Sequence, residues 1–272
     1  TANKLKIKVV YFFRSLGVTL DFRTNGEYVV DVLIANSEYV VKKVSEQYSR
    51  SVEVVNFSLG ETERIKGRPI SHPKFDVTMF NPTENKGGRI FFSLASLFPE
   101  LKFRAILGWM DLKSKDGKSY DPALMRLMTL AHSGQDKNIY IPTDLPIPSL
   151  HNLTVSKPQF NVGEIYQDTK LILVPSQWEE AIPRVIMEAS INGRQVLASH
   201  VAGIPQAFKI AGYSDNLLVE EYKNTNAWKN KINWFFENYE KIPKPQPQLP
   251  EPNLHKILLK YISYGRTSST RK

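Results

Sequence analysis

The first sixty residues combine apolar runs of strand length with one helical pattern. Residues 6–13, 31–35 and 52–57 are rich in Val, Ile and Phe, and each run predicts a strand. After the second run, Ser37 is suited to cap a helix whose apolar residues recur at helical spacing. We therefore expect one strand followed by a strand–helix–strand unit.

From residue 75 onward, apolar strands and amphipathic helices alternate. The predicted strands are residues 76–80, 103–107, 138–141, 153–155, 171–174 and 195–199. The predicted helices are residues 88–98, 122–132, 162–168 and 183–192. The first of these helices places one broad apolar face on Ile90, Phe91, Leu94, Leu97 and Phe98. Alternation of this kind predicts an α/β fold, in which helices cover both faces of a parallel sheet.

Proline and charge distinguish the C-terminal part of the chain. Residues 241–252 carry five prolines and predict an extended spacer, and residues 254–264 predict a last helix. The net charge is +9, and residues 223–272, with ten basic and three acidic residues, account for +7 of it. This segment is either a solvated helix and tail or a contact for an acidic membrane surface or partner. Nucleic acid is not expected, because no zinc finger, RNP-like strand or Arg/aromatic repeat is present.

Composition excludes several classes of protein. With 42% apolar and 23% charged residues, the chain is typical of a globular protein. The absence of cysteine excludes disulfides, thiolate metal sites and a cysteine nucleophile. The five histidines show no ligand spacing, so we expect no metal site. No apolar run approaches the roughly 18–20 residues that span a bilayer.

The segment FNPTENKGG, residues 80–88, follows a predicted strand and opens a predicted helix. Ligands bind at the carboxyl ends of parallel strands, and the N–H groups of a helix start favour an anion. Gly87 and Gly88 would let a phosphate approach the backbone, and Lys86 would add a positive charge. The alternative is a strand-to-helix turn with a solvated lysine. The segment is neither a P-loop nor a dinucleotide fingerprint.

The segment VPSQWEEAIPRVIMEA, residues 174–189, also joins a predicted strand to a predicted helix. Pro183 fits the first helical turn, where a missing N–H costs least. Glu180 precedes the helix, and Glu188 lies within it among apolar residues, where a carboxylate needs partners. A carboxylate placed there can accept hydrogen bonds from the two hydroxyls of a ribose. The alternative is a structural carboxylate or a solvated helix face.

These segments resemble the retaining glycosyltransferases of family 4, also called group 1. Glu180 and Glu188 match the E-x-x-x-x-x-x-x-E motif of that family, and PSQWEEAIPRVIMEA resembles its PS-x-WEE segment. FNPTENKGG, DVLIANSEYVVKKV at residues 31–44 and NGRQVLASHVAGIPQ at residues 192–206 resemble further family segments in the family order. The resemblance covers roughly residues 5–240 and implies a GT-B fold, two Rossmann-like domains facing across a cleft.

The resemblance also implies a domain organisation. Residues 1–60 are expected to be the remnant of an N-terminal acceptor domain, because they look like its last two strands and one helix. Residues 61–240 would be the nucleotide-sugar donor-binding domain, and residues 241–272 the Pro-rich spacer with a basic C-terminal helix and tail. The family's glycine-rich N-terminal loop has no counterpart, and its cleft histidine falls near Arg14. We expect that the front half has been removed, and the alternative is a degenerate short protein.

Site residues follow from the resemblance position by position. Lys86 and Glu180 would be catalytic, with Lys86 on the donor diphosphate, helped by the amide of Gly87, and Glu180 on the transferred sugar. Glu188 would accept from the ribose hydroxyls, and Lys157 would edge the base. The backbone amides expected to hold sugar hydroxyls and phosphate oxygens are those of Ile182, Arg184 and Val185.

Three positions depart from the family pattern. Asn81 stands where an Arg often completes a two-cation clamp, although the side chain of Arg184 could contribute if it turns inward. Pro183 stands where a Gly is frequent and removes one N–H donor. Gln206 stands where a Glu is common. These differences weaken the transfer of donor-binding details.

The implied activity is transfer of a sugar from a nucleotide-sugar donor to an acceptor hydroxyl with retention of configuration, without a metal or prosthetic group. A UDP-sugar is favoured over a GDP-sugar, the acceptor would be a carbohydrate or lipid-linked, and the pathway class would be polysaccharide biosynthesis. The alternatives are a non-catalytic nucleotide-sugar-binding module, a sugar-nucleotide epimerase of GT-B type and a basic surface-binding protein. We expect a cytoplasmic location, with peripheral association at the inner membrane face.

Overall fold

The structure is a computed structural model, and it describes residues 9–13, 23–24, 27–28, 30–56, 59, 64, 73–108, 145–159 and 161–267. The predicted helix 122–132, the predicted strand 138–141 and Arg14 lie outside the described residues. Most of the segment that links the first sixty residues to the rest also lies outside them.

The N-terminal part contains a parallel sheet of three strands in the order β1-β4-β5 and an antiparallel pair, β2-β3. The strands are β1 Val10–Phe13, β2 Arg23–Thr24, β3 Glu27–Tyr28, β4 Val32–Ala35 and β5 Val52–Val54. The predicted cap at Ser37 is confirmed, because its side chain accepts a hydrogen bond of 3.2 Å from the N–H of Val40 at the start of α1, Glu38–Tyr48. The pair β2-β3 was not predicted.

A second, larger sheet contains six parallel strands in the order β11-β10-β9-β6-β7-β8. The strands are β6 Phe75–Phe80, β7 Phe103–Ile106, β8 Leu153–Ser156, β9 Thr169–Val174, β10 Gln195–Ser199 and β11 Leu218–Val219. The central strands β6 and β9 pair with Val77 opposite Leu171, and both residues are fully buried. The chain adds strands on one side of β6 first and then on the other, so β6 and β9 mark the point where the strand order reverses.

Helices cover both faces of this sheet, which confirms the α/β prediction. They are α2 Gly88–Leu97, α3 Val162–Gln167, α4 Arg184–Ile191, α5 Ile204–Ala211 and α6 Thr225–Asn238, and the last helix is α7 Leu254–Thr267. Helix α2 packs against α6, and α4 packs against α5. The prediction that Leu97 shares the apolar face of its helix is wrong: as the last residue of α2 it is 45% exposed.

The Pro-rich segment that follows α6 lies along the second sheet before the chain returns to the first. Pro243 accepts a hydrogen bond of 2.9 Å from the Gln195 side chain, and the N–H of Gln248 donates to Ile210 at 2.8 Å. Asn253 then bonds the first sheet, donating to the carbonyl of Val54 at 3.0 Å and accepting from the N–H of Asn56 at 2.8 Å.

Helix α7 packs on the first sheet and is not a solvated tail. Ile257 is buried against Val32 and Ile34 of β4. Lys260 and Tyr261 both donate to the carboxylate of Glu53, at 2.8 Å and 2.7 Å. These contacts lower the pKa of Glu53 and close the chain back onto its N-terminal part.

Candidate functional site

A cavity of about 210 Å³ opens at the carboxyl ends of β6 and β9. It lies where the strand order of the larger sheet reverses, which is where open α/β sheets bind ligands. The loop after β6 leads into α2, and the loop after β9 leads into α4. The lining residues come from these strand ends, loops and helix starts: Met79, Phe80, Asn81, Lys86, Leu173, Val174, Ser176, Glu180, Pro183, Arg184 and Val185.

The loop after β6 turns sharply at its first residue. Asn81 has φ of +53°, its N–H donates to Ile106 at 2.7 Å, and its carbonyl accepts from Thr83 at 2.8 Å. Its side-chain Oδ1 is buried and finds no partner among the described residues, and it faces Gly108 closely enough that a Cβ there would lie 2.4 Å away. Asn81 therefore presents an amide, not a cation, at this edge of the cavity.

The two loops are held against each other. The N–H of Gln177 donates to the carbonyl of Asn85 at 2.8 Å. Gly87 adopts φ of +83°, and a Cβ at this position would lie 1.9 Å from the carbonyl oxygen of Pro175. Glycine is thus required both by the left-handed backbone and by the close approach. This contact places Lys86, which precedes Gly87, opposite the loop that carries Glu180.

The carboxylate of Glu180 is an acceptor in the cavity lining, and the residue is only 8% exposed. Its Oε1 accepts from the ammonium of Lys86, from the hydroxyl of Ser176 at 2.8 Å and from the indole N–H of Trp178 at 3.1 Å. Lys86 also lies over the Trp178 ring, 5.5 Å from its centroid. A buried carboxylate requires such partners, and an anionic ligand would compete with it for Lys86.

Glu188 lies one helical turn behind the cavity, with both carboxylate oxygens contacted. Its Oε2 accepts from the hydroxyl of Tyr166 at 2.7 Å, and its Oε1 lies 3.3 Å from Nε of Arg184. Burial and the neighbouring carboxylate raise the pKa of Tyr166 well above its ordinary value, so its hydroxyl remains a donor. Tyr166 packs beside Phe80, whose ring centroid is 5.5 Å away, and so connects α3 with the cavity wall.

The structure brings six of the predicted site residues together in the cavity lining: Asn81, Lys86, Glu180, Pro183, Arg184 and Val185. The other four predicted residues, Gly87, Lys157, Ile182 and Glu188, are not among the described residues that line it. The N–H of Gly87 donates to the carbonyl of Glu84 at 2.9 Å, and Ile182 lines a separate small cavity toward the first sheet. Lys157 follows β8, the outermost strand, and is exposed.

Three details differ from the sequence analysis. Pro183 occupies the cap position and α4 begins at Arg184, one residue later than predicted, because proline here has the extended ψ of 115°. The Arg184 side chain pairs with Glu188 on its own helix. Gln206 lies outside the cavity and accepts a hydrogen bond of 3.1 Å from the N–H of Glu38, which joins α5 to α1 of the N-terminal part.

Sequence reasoning did not single out Ser176, Trp178 or Tyr166. Ser176 and Trp178 lie within four residues of Glu180, and both carry a polar hydrogen. Their closeness to a carboxylate in the sequence could therefore have identified them. Tyr166 reaches Glu188 across 22 residues of sequence, and no local pattern indicates that contact.

Among the described residues we find neither a cluster of metal ligands nor a helix that could span a bilayer. No group of three or more His, Cys, Asp or Glu residues that could hold a metal ion occurs among the residues that the structure describes. None of the described helices is long and apolar enough to cross a bilayer.

Comparison with known proteins identifies the fold. The model of the family described as "Glycosyl transferases group 1" matches residues 135–246. No curated protein matches the sequence significantly. The fold is similar to that of solved GT-B glycosyltransferase structures, and three of them illustrate the likeness.

HepE from Anabaena in complex with UDP and glucose is 15% identical, with a TM-score of 0.59 over 89% of this chain and 65% of that one. Sucrose-phosphate synthase from Thermosynechococcus elongatus is 14% identical, with a TM-score of 0.55 over 87% and 61%. A glycosyltransferase from Rickettsia africae is 13% identical, with a TM-score of 0.54 over 88% and 69%. The chain therefore spans about two thirds of these structures, and identities this low establish the fold alone.

Proposed function

We propose that this chain is the donor-binding part of a glycosyltransferase that transfers a sugar from a nucleotide sugar to an acceptor hydroxyl, with retention of configuration. The observation that carries the proposal is the cavity between β6 and β9, which combines a lysine, a buried carboxylate and a helix start. The group 1 family match to residues 135–246 supports the same reaction class. The diphosphate and the transferred sugar of the donor are assigned to residues of this cavity, and the ribose and the base to residues beside it.

Lys86 is the residue proposed for the donor diphosphate. Its ammonium pairs with the carboxylate of Glu180, and it is the one lysine among the described lining residues. A diphosphate between the two loops would draw the ammonium away from Glu180 and would also meet the first turn of α4, where backbone N–H groups and the helix dipole favour an anion. Charge that builds on the leaving diphosphate is then stabilised by groups that are already in place.

Glu180 and Glu188 are proposed for the sugar and the ribose of the donor. Glu180 lies in the cavity beside Lys86, so hydroxyl groups of the transferred sugar can reach its carboxylate. Glu188 is held by Tyr166 on one oxygen, and the exposed side chain of Arg184 contacts the other at 3.3 Å. A ribose hydroxyl would replace that weaker contact. Lys157, beyond the outer strand, remains the proposed edge of the base site.

The donor is proposed to be a UDP-sugar, with a GDP-sugar as the alternative. HepE, which shares the fold, has been crystallised with UDP-glucose. The proposed acceptor is a carbohydrate or a lipid-linked acceptor. No metal is assigned to the reaction. Basic residues of the C-terminal segment would bring the protein to an acidic membrane surface on the cytoplasmic side.

A thermal-shift panel of UDP-, GDP- and ADP-sugars tests donor binding. A ligand that binds only the folded state adds about 2.7 kcal/mol at a concentration one hundred times its Kd, so one nucleotide class should raise Tm in proportion to the logarithm of its concentration. Glucose 1-phosphate and the nucleoside alone are the controls, since neither carries a diphosphate joined to a base. No shift with any nucleotide sugar would contradict the proposal.

The second candidate is a nucleotide-sugar-binding module without transfer activity. Asn81 favours it, because an amide stands where the resembled family often has a second cation for the leaving group. Product analysis with a labelled donor separates the two candidates. Donor binding accompanied by labelled product supports the transferase, and binding without turnover supports the module.

A further inference from the structure

Three hydrogen-bond donors converge on a single oxygen of Glu180. They are the ammonium of Lys86, the hydroxyl of Ser176 and the indole N–H of Trp178. Within the described part of the chain, all side-chain hydrogen bonds of Glu180 fall on Oε1. A carboxylate has two acceptor oxygens, so this arrangement leaves Oε2 for a ligand and fixes the plane of the group.

Among the tryptophans that the structure describes, Trp178 is the exposed one, at 44%. It contacts two of the charged residues that line the cavity: its N–H donates to Glu180, and its ring lies under the ammonium of Lys86. Trp228, by contrast, is fully buried and donates to a backbone carbonyl at Tyr222. Burial therefore does not explain the position of Trp178, whereas its contacts with Lys86 and Glu180 do.

The three hydrogen-bond donors would not contribute equally once a nucleotide sugar is bound. Lys86 carries a full charge and is the group that a diphosphate attracts, so its bond to Glu180 weakens when the ligand arrives. Ser176 and Trp178 are neutral donors and have no comparable attraction to the diphosphate. They alone would then keep the carboxylate from rotating away from the sugar.

We propose that Trp178 is a positioning residue that, together with Ser176, holds Oε1 of Glu180 so that Oε2 faces the hydroxyl groups of the donor sugar. The inference rests on the proposed function and adds a residue that acts on recognition of the sugar part of the donor. Trp178 should matter for the sugar of the donor and not for its nucleotide diphosphate.

Trp178→Phe is the direct test, because phenylalanine keeps an aromatic ring beside Lys86 but cannot donate a hydrogen bond to Glu180. Affinities for UDP-glucose and for UDP are measured by calorimetry, with GDP-glucose against GDP and ADP-glucose against ADP run in the same way. We expect the affinity for the sugar nucleotide to fall about tenfold, as for loss of a hydrogen bond to a charged group. The affinity for the matching diphosphate should change by less than about twofold.

Trp234→Phe is the matched control. Lys231 lies 5.2 Å from the centroid of the Trp234 ring, so α6 carries a lysine–tryptophan pair of the same kind away from the cavity. Neither affinity should change in this variant. Ser176→Ala, which removes the other neutral donor, should reproduce the sugar-specific loss.

A double-mutant cycle with Glu180→Ala, which removes the acceptor oxygen, shows whether Trp178 acts through Glu180. In that background, Trp178→Phe should cause no further loss. The inference is overturned if Trp178→Phe weakens UDP and UDP-glucose binding equally, if it changes neither affinity, or if its effect persists undiminished beside Glu180→Ala. Failure of the wild-type protein to bind any nucleotide sugar would instead refute the proposed function, and this inference with it.

Discussion

The hydrogen bond from Tyr166 to Glu188 predicts a measurable loss of stability in Tyr166→Phe. The hydroxyl donates to Oε2 of Glu188 at 2.7 Å, and Tyr166 has no exposed surface. The substitution removes one oxygen and leaves the ring in place, so no cavity term is expected. Loss of a hydrogen bond to a charged acceptor should lower the free energy of unfolding by about 1.5–3 kcal/mol.

Tyr213→Phe provides the comparison for this value. Tyr213 is also buried, but its hydroxyl donates at 2.5 Å to the carbonyl of Arg194, a neutral acceptor. Tyr213→Phe should lower the free energy of unfolding by about 0.5–1.5 kcal/mol, the usual range for a hydrogen bond between neutral groups. Both variants are compared with the wild type by urea denaturation followed by tryptophan fluorescence, and by the shift in Tm.

For a chain of this size, 1 kcal/mol corresponds to roughly 2–4 °C in Tm, so Tyr166→Phe should melt several degrees below Tyr213→Phe. In a Glu188→Gln background, Tyr166→Phe should cost no more stability than Tyr213→Phe does, because the acceptor of the Tyr166 hydroxyl is then neutral. Equal destabilisation by the two tyrosine variants would refute the reasoning, since it would show that Glu188 is not a charged acceptor in the folded protein.

Two further predictions concern the fold around the site. Gly87→Ala should lower the free energy of unfolding by about 2–4 kcal/mol in urea denaturation, since it adds left-handed strain and a Cβ 1.9 Å from the carbonyl oxygen of Pro175. Gly193 also has a left-handed backbone, with φ of +63°, but a Cβ there would meet no other described residue within 4 Å apart from its chain neighbours. Gly193→Ala should therefore lower the free energy of unfolding by only about 1–2 kcal/mol, and equal losses would contradict the close approach at Gly87. Lys260 and Tyr261 lower the pKa of Glu53 below the ordinary 4.5, so its contribution to stability is present above that pH and is lost as the pH falls through the folded-state value. The difference in Tm between the wild type and Glu53→Gln should therefore shrink from about pH 6 to about pH 3, and a difference that stays constant would argue against the pairing with α7.

The strands were predictable from the sequence because burial on both faces makes them short continuous apolar runs. β10, Gln195–Ser199, has the predicted bounds, and the cap at Ser37 was found because a helix start needs an acceptor for its free N–H groups. β11 was missed because its two residues are too few to show a period. Leu97 was misplaced because periodicity gives the direction of a side chain but not where the covering layer ends.

The candidate site was predictable where a contact is local or follows strand order. Lys86 and Glu180 are 94 residues apart, yet both follow strands that end side by side, so their meeting was implied by the parallel sheet. The hydrogen bond of Gly87 to Glu84 and the pairing of Arg184 with Glu188 depend on side-chain and loop geometry that no pattern encodes. Tyr166 reaches Glu188 from a different helix, so only the packed structure could identify it.

Calorimetry of Lys86→Ala against Lys170→Ala tests the central claim most directly. Lys170 is a matched control, because it is similarly exposed and is also paired with a carboxylate, Asp76 at 2.8 Å, but it lies near the amino end of β9, away from the cavity. Lys86→Ala should weaken binding of the favoured nucleotide sugar by at least about tenfold, as for the loss of a charged hydrogen bond to a phosphate, while Lys170→Ala changes it by less than about twofold. Unchanged affinity in a folded Lys86→Ala protein would contradict the assignment of this cavity to the donor diphosphate.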